Sequence, residues 1–202
     1  MGILSGSVSF SIYKLTEKVS DDIFKNISEK LQEYGFQEIE NLSLEKSFGW
    51  VSQEDWLDSS FQTSPIKGNY VVFSLRLDTR RISPAVIKKH YELGLKELLQ
   101  KKQAQGQKFI SKEEKKELRE NIRLKLLTKT LPVPAVFDVV WDMLTNRIYF
   151  CSTREKVREL FIDLFVRTFE LHPILITPTN FVLYELGFKE EEIASYSSKS
   201  FI

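Results

Sequence analysis

A single cysteine, Cys151, in a chain of 202 residues excludes an intrachain disulfide and a cysteine-built zinc cage. Histidine is almost as scarce. His90 and His172 are the only two, too few for most histidine-based metal sites. No apolar run approaches the ~20 residues a membrane helix needs, so no membrane partner is expected. The opening stretch, Met1 to Leu15, lacks a basic segment followed by an apolar one, so no signal peptide is expected. Gly2 hints at myristoylation, but Gly6 stands where that motif wants Ser or Thr. A reducing, cytoplasmic location is the expectation. The phosphate-binding, dinucleotide, serine-hydrolase and zinc-protease signatures are all missing, so no cofactor is expected.

What is present is an ordinary globular composition, 42% hydrophobic and 28% charged, with 15 phenylalanines to fill a core. The length fits one large domain or two small ones. The net charge of +1 conceals a sharp asymmetry. Residues 80–130 hold 15 Lys/Arg against 6 Asp/Glu, a balance of +9, while 1–79 stand at −5 and 131–202 at −3. A polyanion partner is therefore compatible with the neutral total.

Along the chain, Val8, Phe10 and Ile12 alternate with serines and predict a half-buried strand. Ser20 offers an N-cap to a helix from Asp21, striped by Ile23, Phe24, Ile27 and Leu31 and closed by Gly35 as a left-handed cap. A short strand is expected over Phe36–Ile39, another over Phe48–Val51, and a central one over Tyr70–Leu77. Ser83-Pro84 starts a helix carrying Ile87, Tyr91, Leu95 and Leu98 at helical spacing. Lys101 to Gln107 reads as a polar turn, and Ser111 with Glu114 as a capping box opening a second helix striped by Leu118, Ile122 and Leu126. Together these form an αα-hairpin. Ala135 to Met143 alternates as a strand, turns at Thr145-Asn146 and returns over Arg147–Cys151. Ser152 and Glu155 form a second capping box, before a helix with Val157, Leu160, Phe161, Leu164 and Phe165 inward. Ile174–Ile176 is a short strand, Thr177-Pro178 caps a last helix ending at Gly187, and an acidic, Ser-rich tail follows. The order predicts an α+β fold, a mixed or antiparallel sheet packed with helices. Residues 1–79 and 131–189 make the central domain, 80–130 an inserted, projecting basic hairpin, and 190–202 the tail.

The enzymatic readings are weak. Cys151 in a strand pattern reads as a buried, inert thiol. His90 among lysines and His172 before a proline read as surface or capping residues. Asp138 and Asp142 share a strand face, but four residues of strand separate them by ~13 Å, too far to hold one metal ion. They read as a solvated sheet face, and a metal-dependent nuclease is the weaker alternative. The basic hairpin carries the most information. Lys112, Lys115, Lys116, Arg119 and Arg123 recur at helical spacing, with Lys88, Lys89, Lys96, Lys101 and Lys102 along the first helix. Glu92, Glu113, Glu114, Glu117 and Glu120 could instead pair with these cations and leave a merely solvated, or protein-binding, hairpin. No aromatic interleaves with the basic face and no base-reading motif is visible. Any nucleic-acid contact would be with the backbone, independent of sequence.

The order of short motifs adds a resemblance. Phe10-x-x-Tyr13-Lys14-Leu15, then Gly49-Trp50-Val51, then Ser83-Pro84-Ala85-Val86-Ile87-Lys88 precede the basic hairpin ending in Leu126-Leu127. Trp141-Asp142, Asn146, Ile148, Phe150 and Cys151 follow, then a helix leading to Pro173–Pro178. In these, over roughly residues 8 to 180, the chain resembles the bacterial recombination-associated RdgC family. The resemblance implies a non-enzymatic, nucleoid-associated protein that binds double-stranded DNA with little sequence preference and restrains RecA-driven recombination. It implies a homodimer meeting through the hairpin tips, with Lys88 and the basic hairpin residues as DNA contacts. The family has Pro-Arg-Ala-Phe after the Leu-Leu pair; here Thr128-Lys129-Thr130-Leu131 keeps only a cation, Lys129. Its longer members continue past the position of Ile202 into a second dimer contact.

Overall fold

The structure is a computed structural model that describes residues 2–17, 19–40, 44–106, 109–184, 186–189 and 191–192. Among these, six helices and seven strands form the expected α+β fold. The strands are β1 (Ser11–Leu15), β2 (Lys46–Val51), β3 (Ile66–Lys67), β4 (Tyr70–Thr79), β5 (Val133–Asp142), β6 (Arg147–Phe150) and β7 (Pro173–Leu175). They make one sheet in the order β2-β4-β5-β6-β1-β7, with β3 paired antiparallel to β4. The helices are α1 (Asp21–Lys25), α2 (Ile27–Glu33), α3 (Pro84–Ala104), α4 (Lys112–Lys129), α5 (Glu155–Phe169) and α6 (Pro178–Tyr184). The tail expected over 190–202 lies outside the described residues apart from Glu191 and Glu192, as does Gln107 of the expected polar turn.

The chain divides into two compact units. The first comprises Met1–Gly35, Gly49–Arg76 and Val136–Ile202; the second comprises Phe36–Phe48 and Leu77–Ala135. The hairpin helices thus share their unit with residues 36–48, far from them in sequence.

The core of the first unit is aromatic. α5 buries Val157, Phe161, Leu164 and Phe165 of the stripe its spacing predicts, leaves Leu160 half-buried, and buries Phe169 as well. Phe161 stacks on Phe150 at 4.3 Å and touches Tyr13, while Trp141 meets Phe165 and Phe169 edge-on. Trp50 crosses Phe73 at 5.0 Å and donates its indole N–H to Thr168 Oγ1 at 2.8 Å. Thr168 in turn donates to the Leu164 carbonyl, so this buried polar chain is satisfied.

Several local expectations are corrected. β1 has the predicted period of two but the opposite face inward: Ser11, Tyr13 and Leu15 are buried, while Phe10 is exposed. Its register, Tyr13 opposite Ile148 and Ser11 opposite Phe150, sends the larger Tyr13 and Leu15 to the core. Shifting the frame by one residue flips every side chain. Phe36–Ile39 forms no strand; only Gly35 bridges to Trp50. Gly35 is not a left-handed cap either. A side chain there would lie 2.8 Å from the Ser59 carbonyl, so glycine is required by close approach. The helix expected from Asp21 breaks at Asn26, whose polar side chain disfavours helix interior, into α1 and α2. The Ser152/Glu155 box does not form. The chain stays extended to Arg154, and Ser152 Oγ only accepts from the Arg154 N–H. The predicted β5–β6 hairpin is present, with Asp142 paired to Arg147 and Asn146 at φ 54° in the turn.

Candidate nucleic-acid interface

Pro84 opens α3 at its first position, as predicted, although the Ser83 hydroxyl makes no capping bond. α3 runs on through Lys101–Ala104, where a turn was expected, and the chain reverses at Gly106 with φ 76°. Two lysines suit the negative end of that helix. Lys102 is further held by Glu114, at 2.6 Å and with its side chain only 15% exposed. The Ser111/Glu114 capping box forms in full: Ser111 Oγ accepts from the Glu114 N–H and Glu114 accepts from the Ser111 N–H. Chiefly the Lys102 ammonium, then the Ser111 N–H, hold the Glu114 carboxyl below its usual range.

The helices pack antiparallel, since Gly94 faces Leu118 and Ile122 while Lys102 reaches Glu114. The predicted stripes supply the seam, half-buried on both helices, with Leu127 buried at its end. At 3.6 residues per turn, most of the remaining charged side chains of α4 sort by sign, Lys125 alone falling just past the stripe on the acidic side. Lys112, Lys115, Lys116, Arg119 and Arg123 fall on one flank of the stripe, and Glu113, Glu117 and Glu120 on the other. This places Lys112 beside Lys116, Lys115 beside Arg119, and Arg119 beside Arg123, each four residues apart. Such like-charge neighbours cost a helix a few tenths of a kcal/mol apiece.

α3 adds to the same side. Lys96 and Lys115 line one groove of about 350 Å³ with Leu95 and Leu99, and the helical turn brings Lys88 and Lys89 to that flank. The expected neutralising pairs are few. Among the described residues, Lys88 pairs with Glu92 at 4.0 Å, Lys102 with Glu114, and Arg123 with Glu45. Lys89, Lys96, Lys101, Lys112, Lys115, Lys116, Arg119 and Lys129 have no ion-pair partner among those residues. The structure therefore gathers Lys88, Lys89, Lys96, Lys112, Lys115, Lys116, Arg119 and Arg123 on one face. It leaves out Lys101 on the other flank of α3, Lys102 in the seam, and Lys129 in line with Ile122.

Two participants carry no local sequence signal. Arg80, one of the cations counted in the basic block, is only 6% exposed. It donates to the carbonyls of Ile39 and Glu40 at 2.8 and 2.7 Å and its N–H reaches Glu45 O, so it holds these three residues in place. Glu45, 78 residues from Arg123, pairs with it across a cleft of about 540 Å³ that Arg81 also lines.

The other candidates fare differently. Asp138 is not on a solvated face. It is 6% exposed and accepts from Ser74 Oγ and the Ile3 N–H, both at 2.8 Å. Asp142 is engaged in the β5–β6 turn, accepting from Leu144 and Thr145. No group of three or more His, Cys, Asp or Glu suited to a metal ion occurs among the described residues. Cys151 is buried, and burial first, then the Asp138 charge, push its thiol up to about 11. Iodoacetamide at pH 8 should label the folded chain at least tenfold more slowly than the urea-unfolded chain. Equal rates would show a reactive thiol. No described helix is long and apolar enough to cross a membrane.

The molecule is thus an α+β protein carrying a packed pair of helices with eight cations and Glu92 on one flank and Glu113, Glu117 and Glu120 on the other. A sequence model of a known family, described as "Putative exonuclease, RdgC", matches residues 9–182. The chain belongs to the RdgC family. None of the curated proteins matches it.

Proposed function

We propose that the protein binds duplex DNA without sequence preference through the basic face of α3 and α4, and acts in recombination by occupying the duplex. One observation carries this: eight cations share a flank of the helix pair with a single carboxylate of those helices, Glu92, among them, while Glu113, Glu117 and Glu120 are turned away from it. A merely solvated hairpin would intersperse the two signs in pairs along each row. The mechanism is charge neutralisation, in which each Lys or Arg that meets a phosphate releases condensed counterions. Occupied duplex is then closed to recombination enzymes, RecA being the one the family resemblance implies, and a homodimer through the hairpins and a nucleoid location belong to the same reading. The protein binds and does not cut; the engagement of Asp138 and Asp142 in internal hydrogen bonds supports this.

Titrating linear duplexes of unrelated sequence over a NaCl series should give log K falling against log salt with a slope of about 3 to 7. Affinities should differ by less than about threefold between sequences, because phosphate contacts carry no base information. A flat salt response, or one strongly favoured sequence, would refute this reading. DNA loss with magnesium or manganese, abolished in Asp138→Ala, would favour the nuclease instead.

A further inference from the structure

Two cations of the basic face already meet a carboxylate among the described residues: Lys88, within 4.0 Å of its helix neighbour Glu92, and Arg123, held by a residue from a distant segment. Arg123 continues the row of Lys116 and Arg119, yet its guanidinium holds the carboxylate of Glu45. Both side chains are about half exposed, so neither is locked by packing. The backbone of Glu45 is firmly placed. Arg80 donates its N–H to the Glu45 carbonyl and its guanidinium to the carbonyls of Ile39 and Glu40. Ser47 Oγ ties the next stretch to the Gln37 carbonyl. A fixed backbone under an exposed carboxylate lets that carboxylate leave Arg123 by side-chain rotation alone, at no cost in fold. Arg81 is exposed on the same cleft, so the space beside Arg123 is cationic once Glu45 swings away.

We propose that this cleft is a phosphate subsite at the end of the basic face, and that Glu45 is its resident counter-anion, exchanged for a DNA phosphate on binding. The inference rests on the duplex-binding reading above and deepens it. A carboxylate and a phosphate oxygen are alternative acceptors for the same planar guanidinium fork. Because the Glu45–Arg123 pair is exposed, giving it up costs little, and docking can reverse it. Glu45 thus lowers affinity without abolishing it, and makes the last contact conditional on a phosphate standing at the right place.

The test uses Glu45→Gln, Arg123→Gln and the double variant in the same salt-series titration on the full chain. Glu45→Gln should bind duplex about two- to fivefold more tightly. Arg123→Gln should bind more weakly, with the slope reduced by about 0.9, the loss of one phosphate. In the Arg123→Gln background, Glu45→Gln should have no further effect. That last comparison separates the specific pair from a general change of charge. If wild type binds duplex but Glu45→Gln leaves affinity unchanged or lowers it, or Arg123→Gln leaves the slope unchanged, the pair is a permanent structural bond and this inference is wrong. Absence of duplex binding in wild type and variants alike would remove the functional reading, and the inference with it. Unchanged melting temperatures of the variants establish that binding, not folding, has been altered.

Discussion

If the proposed duplex-binding face is the site, reversing Lys115, Lys116 and Arg119 to Glu together should lower duplex affinity by at least about a hundredfold at moderate salt and reduce the salt slope by about 2.7. Three phosphate contacts would be lost, and three new anions would face the duplex in their place. The helix itself should not suffer. Lys112 and Lys116, and Arg119 and Arg123, are like-charge neighbours in the native sequence, and the substitution turns both into opposite-charge pairs. The comparison is Lys25, Lys156 and Lys189 reversed to Glu, three exposed cations elsewhere, with the same change of six charges. The two triple variants should melt alike and bind DNA differently. Equal loss in both would mean that the attraction is diffuse and the hairpin is not the site. No loss in either would favour the alternative in which the hairpin binds protein.

The largest stability effect should come from the aromatic core. Phe161→Ala removes a fully buried ring that stacks on Phe150 and touches Tyr13, Trp50 and Phe165. The cost of such a truncation is ~3–5 kcal/mol, and a chain of this size loses ~2–4 °C per kcal/mol, so the melting temperature should fall by roughly 6–20 °C. Phe109→Ala, at a ring 84% exposed, should change it by no more than about 2 °C. Calorimetry on both variants decides the matter. A similar drop for the two would mean that the ring cluster is not what holds this unit together.

Periodic, strongly patterned segments were legible from the residues alone. The stripes of α5, α3 and α4 face inward as their spacing predicts, and the Ser111/Glu114 box forms because its two partners lie within one turn. Where the pattern failed, something distant in sequence had decided. β1 is turned over because its partner β6 sets the frame, and neither Tyr13 nor Phe10 alone carries that information. Gly35 is glycine because of Ser59, and Asp138 is internal because Ser74 and Ile3 meet it. The candidate site divides in the same way. Which cations are present, and that they repeat helically, can be read directly. That Lys102 is spent on Glu114, that Arg80 is internal, and that Glu45 sits on Arg123 are consequences of packing between segments 12 to 78 residues apart. Charge counting is blind to all three.

A position where the two rows of the basic strip come close carries no charge at all. At Gly94 a methyl group would come within 3.1 Å of Ile122 and 3.2 Å of Leu118, closer than a relaxed contact allows. With a side chain there, the terminal methyls of Leu118 and Ile122 would have to give way by a few tenths of an ångström. Phosphates along a duplex are spaced by the geometry of the nucleic acid, and a rigid cationic strip must fit that ruler. What lets the two rows lie this close is a hydrogen atom, half-buried between two helices whose charged surfaces could be rewritten without disturbing it.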